Sequence, residues 1–174
     1  LGSHLVDRLL HDGFKVVGVD NFFRGRRENI QEHSNLVFYD IDLTTSDTEL
    51  KKVIDHHLPE VVFHYAAING TKYFYDMPMK VFNDNVNMTK NVLNSLKGSS
   101  VKKIIYASSS EVYGDPLVVP TPEEHMISLN AYADRDSYAS SKAFGDFYVK
   151  LFSEENNIDF IILRIFNTYG PRMD

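Results

Sequence analysis

The stretch LGSHLVDRLLHDGFKVVGVD at residues 1–20 combines a helix pattern with a buried-strand pattern. The apolar side chains between Leu5 and Leu10 are spaced to lie on one face of a helix. Phe14 to Val19 is a short, almost continuous apolar run that ends at Asp20, which is typical of a strand covered on both faces in a parallel sheet. The stretch therefore predicts a helix packed on a buried strand.

The rest of the chain repeats this alternation of strand and helix patterns. Further apolar runs lie at residues 36–39, 61–63, 101–106 and 160–163. Between them, Ser46 to Glu49 has the spacing of a helix capping box, Pro78 begins another helix, and a long helix runs from about Ser137 to Glu155. The sequence predicts an α/β fold, a doubly wound parallel sheet with helices on both faces.

The composition restricts the classes of function. The chain has 174 residues, a formal net charge of -6 and no cysteine, so disulfides and thiolate chemistry are excluded and nucleic acid is not an expected partner. No apolar run reaches the roughly 18 residues of a membrane span and no signal peptide is visible, so we expect a cytoplasmic protein with no membrane partner. The 7 histidines are scattered, and we expect packed or solvated imidazoles rather than a metal site.

Gly2 and Asp20 have the separation found in dinucleotide-binding units. In a doubly wound sheet, a glycine-rich turn after the first strand begins a helix that holds the cofactor pyrophosphate, and an acid about twenty residues later binds the adenosine ribose. Gly2 fits the last glycine of such a turn and Asp20 fits the acid, although Gly2 alone could be only a helix cap. We therefore expect residues 1–174 to form a nucleotide-binding domain without its first strand, as a fragment of a longer enzyme.

Three further motifs follow in order along the chain. They are SSSEVYG at residues 108–114, SYASSK at 137–142 on a predicted helix, and RIFNTYGPR at 164–172 after the last predicted strand. Together they resemble, over essentially the whole chain, the extended short-chain dehydrogenases that act on nucleotide sugars, the NAD-dependent epimerase/dehydratase family. The resemblance implies a Rossmann-like fold, NAD as cofactor, a UDP-linked nucleotide sugar as substrate, and a substrate lobe that would follow this part of the chain.

Tyr138 and Lys142 carry the catalytic chemistry that the resemblance implies. They are four residues apart, so both project from one face of the helix. A phenol of ordinary pKa is a poor base at neutral pH, and we expect the Lys142 ammonium and the positive nicotinamide to lower the pKa of Tyr138. Tyr138 would then take the proton of a sugar hydroxyl, while Ser109 hydrogen-bonds the same oxygen.

The other site residues are implied by the same matching. Asp20, with Asn21 beside it, would bind the adenosine ribose and favour NAD over NADP. The remaining cofactor contacts implied are Asp42 and Leu43 around the adenine (with Asp40 as a competing register), Ala66 and Ala67 at a strand end, Asn85 on a helix, and Phe166 beside the nicotinamide. The substrate contacts implied are Ser110, Asn167 and Arg172.

The residues after Ser109 bear on the reaction. The 4,6-dehydratases of this family carry Asp-Glu there, whereas this chain has Ser110 and Glu111 and so lacks the acid. The surrounding strings resemble UDP-glucuronate decarboxylases, although residues 68–71 depart from them, and Glu111 could equally serve an epimerase as a base beside a ketone. UDP-sugar epimerase and UDP-glucuronate decarboxylase stay open as equal alternatives. A 4,6-dehydratase and a non-catalytic nucleotide-binding fragment are the other possibilities.

The helices that begin near Pro78 and Ser137 carry more apolar positions than one buried face requires. On the second helix these positions include Phe144, Phe147, Tyr148 and Phe152. We therefore expect a homodimer in which both helices pack against their copies.

Overall fold

The structure is a computed structural model that describes residues 1–45 and 47–173. Its α-helices are α1 (Gly2–His11), α2 (Thr48–His57), α3 (Thr71–Asp76), α4 (Pro78–Leu96) and α5 (Asp136–Asn156). Its strands are β1 (Val16–Asp20), β2 (Leu36–Asp40), β3 (Val61–His64), β4 (Lys103–Ser109) and β5 (Asp159–Ile165). Two short 3-10 helices lie at Arg27–Asn29 and Ser110–Tyr113. The predicted capping box ahead of α2 depends on Ser46, which lies outside the described residues.

All observed strand pairs are parallel, and helices flank the strands. β1 pairs with β2, while β4 lies between β3 and β5 in a second sheet. The predicted α/β, Rossmann-like fold class is therefore confirmed. Within the described chain, however, the strands form two sheets rather than one, because β1 and β3 are not paired with each other.

The observed elements follow the predicted patterns closely. Pro78 begins α4 as predicted, since its fixed φ suits the first turn of a helix and its missing N–H needs no partner there. The long helix α5 begins at Asp136 and ends at Asn156, within one residue of its predicted bounds. The short helix α3 was not predicted, because its six residues are too few to show a helical period.

One apolar core lies between the sheets and the helices α2, α4 and α5. The side chains at its centre are nearly fully buried: Val81, Leu93, Leu96, Ile104 and Val149. Side chains from both sheets pack against this core: Val17, Val19, Tyr39, Val62 and Ile162. Each fully buried aliphatic side chain contributes about 1.5–3 kcal/mol to folding, so this shared core stabilises both sheets together.

Helix α5 packs closely on β4, the strand that leads into the predicted catalytic motif. Gly145 of α5 faces the ring and hydroxyl of Tyr106, and a Cβ at this position would overlap both. Tyr106 is itself 1% exposed. The glycine therefore sets the spacing between the helix that carries Tyr138 and the strand that ends at Ser109.

Among residues 1–45 and 47–173, no helix combines the length and apolar character that crossing a membrane would require.

Candidate active site

Three elements bring the four predicted catalytic residues together. Ser109 is the last residue of β4, Glu111 lies in the 3-10 helix that follows it, and Tyr138 and Lys142 lie on successive turns of α5. The Glu111 backbone N–H donates to Ser109 Oγ at 3.2 Å. The Lys142 ammonium nitrogen lies 5.8 Å from the centre of the Tyr138 ring. Residues far apart in sequence therefore meet at the carboxyl end of β4.

The Tyr138 side chain is buried, with 8% of its surface exposed. Its ring stacks on Phe74 of α3 with centroids 4.7 Å apart. Burial raises the pKa of Tyr138 to about 12, a hydrogen bond with Ser109 lowers it, and the negative charge of Glu111 raises it further. In the chain by itself, desolvation of the phenolate dominates, and the lowering expected from Lys142 together with the positive nicotinamide stays a prediction.

Lys142 is directed at the backbone of β4 rather than at the phenol. Its ammonium donates to the Ala107 carbonyl at 2.7 Å and lies 5.0 Å from the centre of the Tyr106 ring. Complete burial lowers the pKa of Lys142 to about 8, while the charge of Asp146 raises it. The hydrogen bond to Ala107 fixes the position of the ammonium beside Tyr138.

An ion pair that the sequence analysis missed lies behind Lys142. Arg164 Nε donates to Asp146 Oδ2 at 3.1 Å, and the two side chains are 22% and 7% exposed. The guanidinium carbon of Arg164 lies 4.8 Å from the centre of the Tyr113 ring. The spacing of Asp146, four residues after Lys142, could have indicated that the two share a helix face.

A second missed pair involves the candidate base Glu111. Arg135 Nε and Nη2 donate to the two carboxylate oxygens of Glu111 at 3.1 and 2.7 Å. Arg135 immediately precedes α5 and lies three residues before Tyr138. Its loop position has no periodicity that would predict this contact.

The residues predicted to bind the adenosine half of a dinucleotide lie together at the carboxyl ends of β1 and β2. Asp20 Oδ1 accepts the Phe22 N–H at 2.8 Å, and a Cβ at Gly25 would lie 3.0 Å from Asp20 Oδ2. Asn21 and Thr44 both hydrogen-bond Asp42, and these bonds lower the pKa of the Asp42 carboxyl, with Thr44 the larger cause. Glycine at position 25 thus leaves space beside Asp20 Oδ2, and the contact of Asp20 and Asn21 with a ribose stays a prediction.

Asp40, the competing register for the adenine contact, ends β2 and lies opposite Asp20. Leu43 is 7% exposed and belongs to the core, and its carbonyl accepts a hydrogen bond from Asn91 at 2.8 Å. A direct contact of Leu43 with adenine stays a prediction.

Asn85 supports the loop that follows β3. Its side chain accepts the Ile68 N–H at 2.7 Å and donates to the Ile68 carbonyl at 3.0 Å and to Ser141 Oγ at 3.1 Å. Ala66 and Ala67 are half-buried in the same loop, just after β3. The structure thus gives Asn85 a supporting role, and its direct contact with a cofactor stays a prediction.

Arg24 joins the loops that follow β1 and β3. Its Nη1 donates to the Asn69 carbonyl and, at 2.8 Å, to Asn69 Oδ1. Gly70 has a φ of 115°, a backbone conformation that favours glycine. This contact, which the sequence analysis did not predict, links the two sheets at their carboxyl ends.

The predicted substrate residues are more widely spread. Ser110 directly follows Ser109 at the candidate centre. Asn167 is exposed after β5, next to Phe166, the residue predicted to border the nicotinamide, whose exposed ring lies 6.3 Å from that of Tyr113. Arg172 instead pairs with Asp7 of α1 at 2.7 Å. The described residues thus bring Ser110 to the catalytic group but hold Arg172 against α1.

The helix that begins at Gly2 has open space at its first residue. A Cβ at Gly2 would have no heavy atom within 4 Å. Close packing therefore does not demand glycine there within the described chain, and the proposed contact of Gly2 with a pyrophosphate stays a prediction.

The histidine beside the site is part of the core. His64 ends β3, is 3% exposed and hydrogen-bonds Thr89 at 3.1 Å. Burial lowers the pKa of His64 to about 3, and the charge of Lys142 lowers it further. Within residues 1–45 and 47–173, no group of three or more histidine or acidic side chains could hold a metal ion.

Known proteins with similar sequences act on nucleotide sugars. The chain is 36% identical over 175 residues to UDP-glucuronic acid decarboxylase 4 of Arabidopsis thaliana, with 99% of this chain and 38% of that protein covered. It is 34% identical over 175 residues to the putative UDP-glucose 4-epimerase of Methanocaldococcus jannaschii, with 100% and 54% covered. The chain therefore spans about half, or less, of the length of these relatives.

A solved structure with the same fold contains the cofactor. The UDP-glucose 4-epimerase of Thermus thermophilus in complex with NAD superposes with a TM-score of 0.88 at 28% identity, over 99% of this chain and 54% of that one. The sequence model of the NAD dependent epimerase/dehydratase family matches residues 1–174. The arrangement of Ser109, Tyr138 and Lys142 agrees with this match, and the chain belongs to the NAD dependent epimerase/dehydratase family, whose cofactor is NAD.

Proposed function

We propose that the whole protein that carries this chain oxidises C4 of a UDP-sugar to a ketone and then converts the 4-keto sugar. The meeting of Ser109, Tyr138 and Lys142 at the end of β4 is the observation that carries this proposal. It is supported by relatives whose names specify UDP-glucuronic acid and UDP-glucose. Residues 1–174 would be the NAD-binding part of that enzyme.

Tyr138 is the proposed base for the 4-hydroxyl of the sugar. Ser109 would hydrogen-bond the same sugar oxygen, and Lys142 would stabilise the phenolate through its charge. The oxidation needs NAD, which supplies the hydride acceptor and a positive charge near the phenol. The residues proposed to hold NAD are Gly2, Asp20, Asn21, Asp42, Leu43, Ala66, Ala67, Asn85 and Phe166.

A test of this proposal is the Tyr138→Phe variant of the whole protein. We expect turnover of UDP-glucuronate or UDP-glucose to fall more than about tenfold, equivalent to roughly 1.4 kcal/mol of barrier, while UDP binding changes little. Tyr132→Phe is the matched control, because Tyr132 is 98% exposed. A Tyr138→Phe enzyme that retains nearly full turnover would show that another group is the base.

Two outcomes after oxidation are favoured by particular residues. A 4-keto uronic acid is a β-keto acid that loses carbon dioxide, and the Ser110–Glu111 pair resembles the one in decarboxylases. Glu111 could instead remove a carbon-bound proton beside the ketone, as an epimerase requires. The 4,6-dehydratase alternative is disfavoured because Ser110 stands where dehydratases carry the acid.

Turnover in deuterated water distinguishes these outcomes. A pentose product labelled at C5 from UDP-glucuronate supports decarboxylation. A hexose product labelled beside the ketone supports epimerisation driven by a base. Label-free inversion at C4 that persists in Glu111→Gln would mean that Glu111 has no role in proton transfer.

A homodimer through α4 and α5 is the proposed assembly. The outer face of α5 carries Phe147 and Leu151, which are 61% and 59% exposed. Phe144 and Tyr148 stack on the same helix with ring centroids 5.1 Å apart. Phe152, in contrast, is buried in the core, so it would not contribute to this interface.

A further inference from the structure

The pair between Glu111 and Arg135 connects the two elements of the candidate site. Glu111 belongs to the 3-10 helix after β4, whereas Arg135 immediately precedes α5. The guanidinium contacts both carboxylate oxygens, at 3.1 and 2.7 Å. The Glu111 side chain is 25% exposed and that of Arg135 is 53% exposed. A two-point contact of this kind fixes the direction of a carboxylate as well as its charge.

We infer that Arg135 is a positioning residue that holds Glu111 as an oriented carboxylate beside Tyr138. The inference rests on the proposed function, because it assigns Arg135 to the proton transfer by Glu111. Glutamate has three side-chain torsions. The hydrogen bond from the Glu111 backbone N–H to Ser109 Oγ fixes only the backbone, so it leaves the carboxylate free to turn. Arg135 removes this freedom, because it contacts both carboxylate oxygens.

The charges around this pair act on Tyr138 as well. The negative charge of Glu111 raises the pKa of Tyr138, and Arg135 compensates that charge. Tyr75 of α3 and Asp136 of α5 also face Arg135, and with Glu111 they raise the pKa of the guanidinium. Without Arg135, the negative charge of Glu111 would face Tyr138 without its cation.

The test compares Arg135→Gln, Arg135→Lys and Arg8→Gln in the whole protein. For Arg135→Gln we expect kcat to fall about tenfold with KM nearly unchanged. Arg135→Lys keeps the charge but not the two-point contact, so it should restore only part of kcat. Arg8 of α1 pairs with Asp12, the residue that directly follows this helix, at 2.7 Å, and its variant should match the wild type.

A double-variant cycle separates positioning from a general effect on folding. In a Glu111→Gln background, Arg135→Gln should reduce kcat no further, since its partner is already gone. Additive losses in the cycle, or a wild-type kcat in Arg135→Gln, would overturn the inference. If Tyr138→Phe abolishes turnover in the same experiment, the proposed function stands even when the role of Arg135 does not. If Arg135→Gln is poorly folded, the kcat of Arg135→Lys decides, because a wild-type kcat in that variant excludes the need for two contacts.

Discussion

Burial shifts the ionisable side chains near the end of β4 toward their neutral forms. Lys142 has a pKa of about 8 against 10.5 for an exposed lysine, and Tyr138 has a pKa of about 12 against 10.0. His64, hydrogen-bonded to Thr89, has a pKa of about 3 against 6.5. In each case the low polarity of the surroundings penalises the charged form more than neighbouring groups support it.

These shifts predict a stability maximum near pH 10. Between pH 8 and about 10, the unfolded chain binds a proton at Lys142 that the folded chain does not, so the free energy of unfolding should increase with pH. Above pH 10, the unfolded chain loses the Tyr138 proton that the folded chain keeps, so the free energy of unfolding should decrease. Below pH 6.5, His64 binds a proton only when unfolded, so stability should also decrease.

Urea unfolding of the whole protein between pH 7 and 10 measures the contribution of Lys142. Each unit of displaced pKa corresponds to about 1.4 kcal/mol, so the increase should be on the order of 2–3 kcal/mol. In Lys142→Met it should disappear. An unchanged increase in that variant would assign the effect to other groups.

At the scale of the elements, the contact between α5 and β4 governs the geometry of the site. Gly145 permits the helix to lie against Tyr106, and the same helix presents Tyr138 and Lys142. The Lys142 ammonium donates a hydrogen bond to the carbonyl of Ala107 in β4. A change in the distance between α5 and β4 would therefore move both catalytic side chains relative to Ser109.

Replacement of Gly145 tests this spacing. In an exposed helix Gly→Ala stabilises by up to about 1 kcal/mol, but here the new methyl group would overlap the buried Tyr106 side chain. We expect Gly145→Ala to destabilise the protein by roughly 1–3 kcal/mol and to lower kcat. Lys150→Ala, on the exposed face of the same helix, should change stability little. Stabilisation by Gly145→Ala in urea unfolding would show that the helix can move away without cost.

At the scale of the whole molecule, the two sheets share a core and are also joined by contacts between loops. The core receives side chains from β1 and β2 as well as from β3 and β5. At the carboxyl ends of the strands, Arg24 connects the loop after β1 to Asn69 after β3. The candidate adenosine and catalytic residues therefore lie on different sheets that are held together by packing and by this contact.

The proposed dimer is tested by Phe147→Asp in the whole protein. A buried charge without a partner is strongly unfavourable at an apolar interface, so we expect the variant to be monomeric at micromolar concentration by light scattering. Phe14→Asp is the matched control, because Phe14 is 58% exposed but lies between α1 and β1. A wild-type protein that is itself monomeric under these conditions would contradict the proposed assembly.

Local patterns in the chain were enough to predict the fold class and the family. These predictions used residues that lie close together in sequence: the apolar runs of β2 and β4, the proline at the start of α4 and the Tyr138–Lys142 spacing. Such patterns reflect local geometry and burial, which the order of residues expresses directly. The same patterns could not predict α3, whose six residues are too few to show a helical period.

The long-range contacts, in contrast, required the folded arrangement. The pairing of Glu111 with Arg135 and the bond between Asn85 and Ile68 join residues 17 or more positions apart. The effect of burial on the pKa of Tyr138 could not be predicted from the neighbouring lysine, because it depends on how completely the ring is desolvated. Desolvation and pair geometry are properties of packed neighbours, and sequence spacing does not specify which distant side chains those neighbours will be.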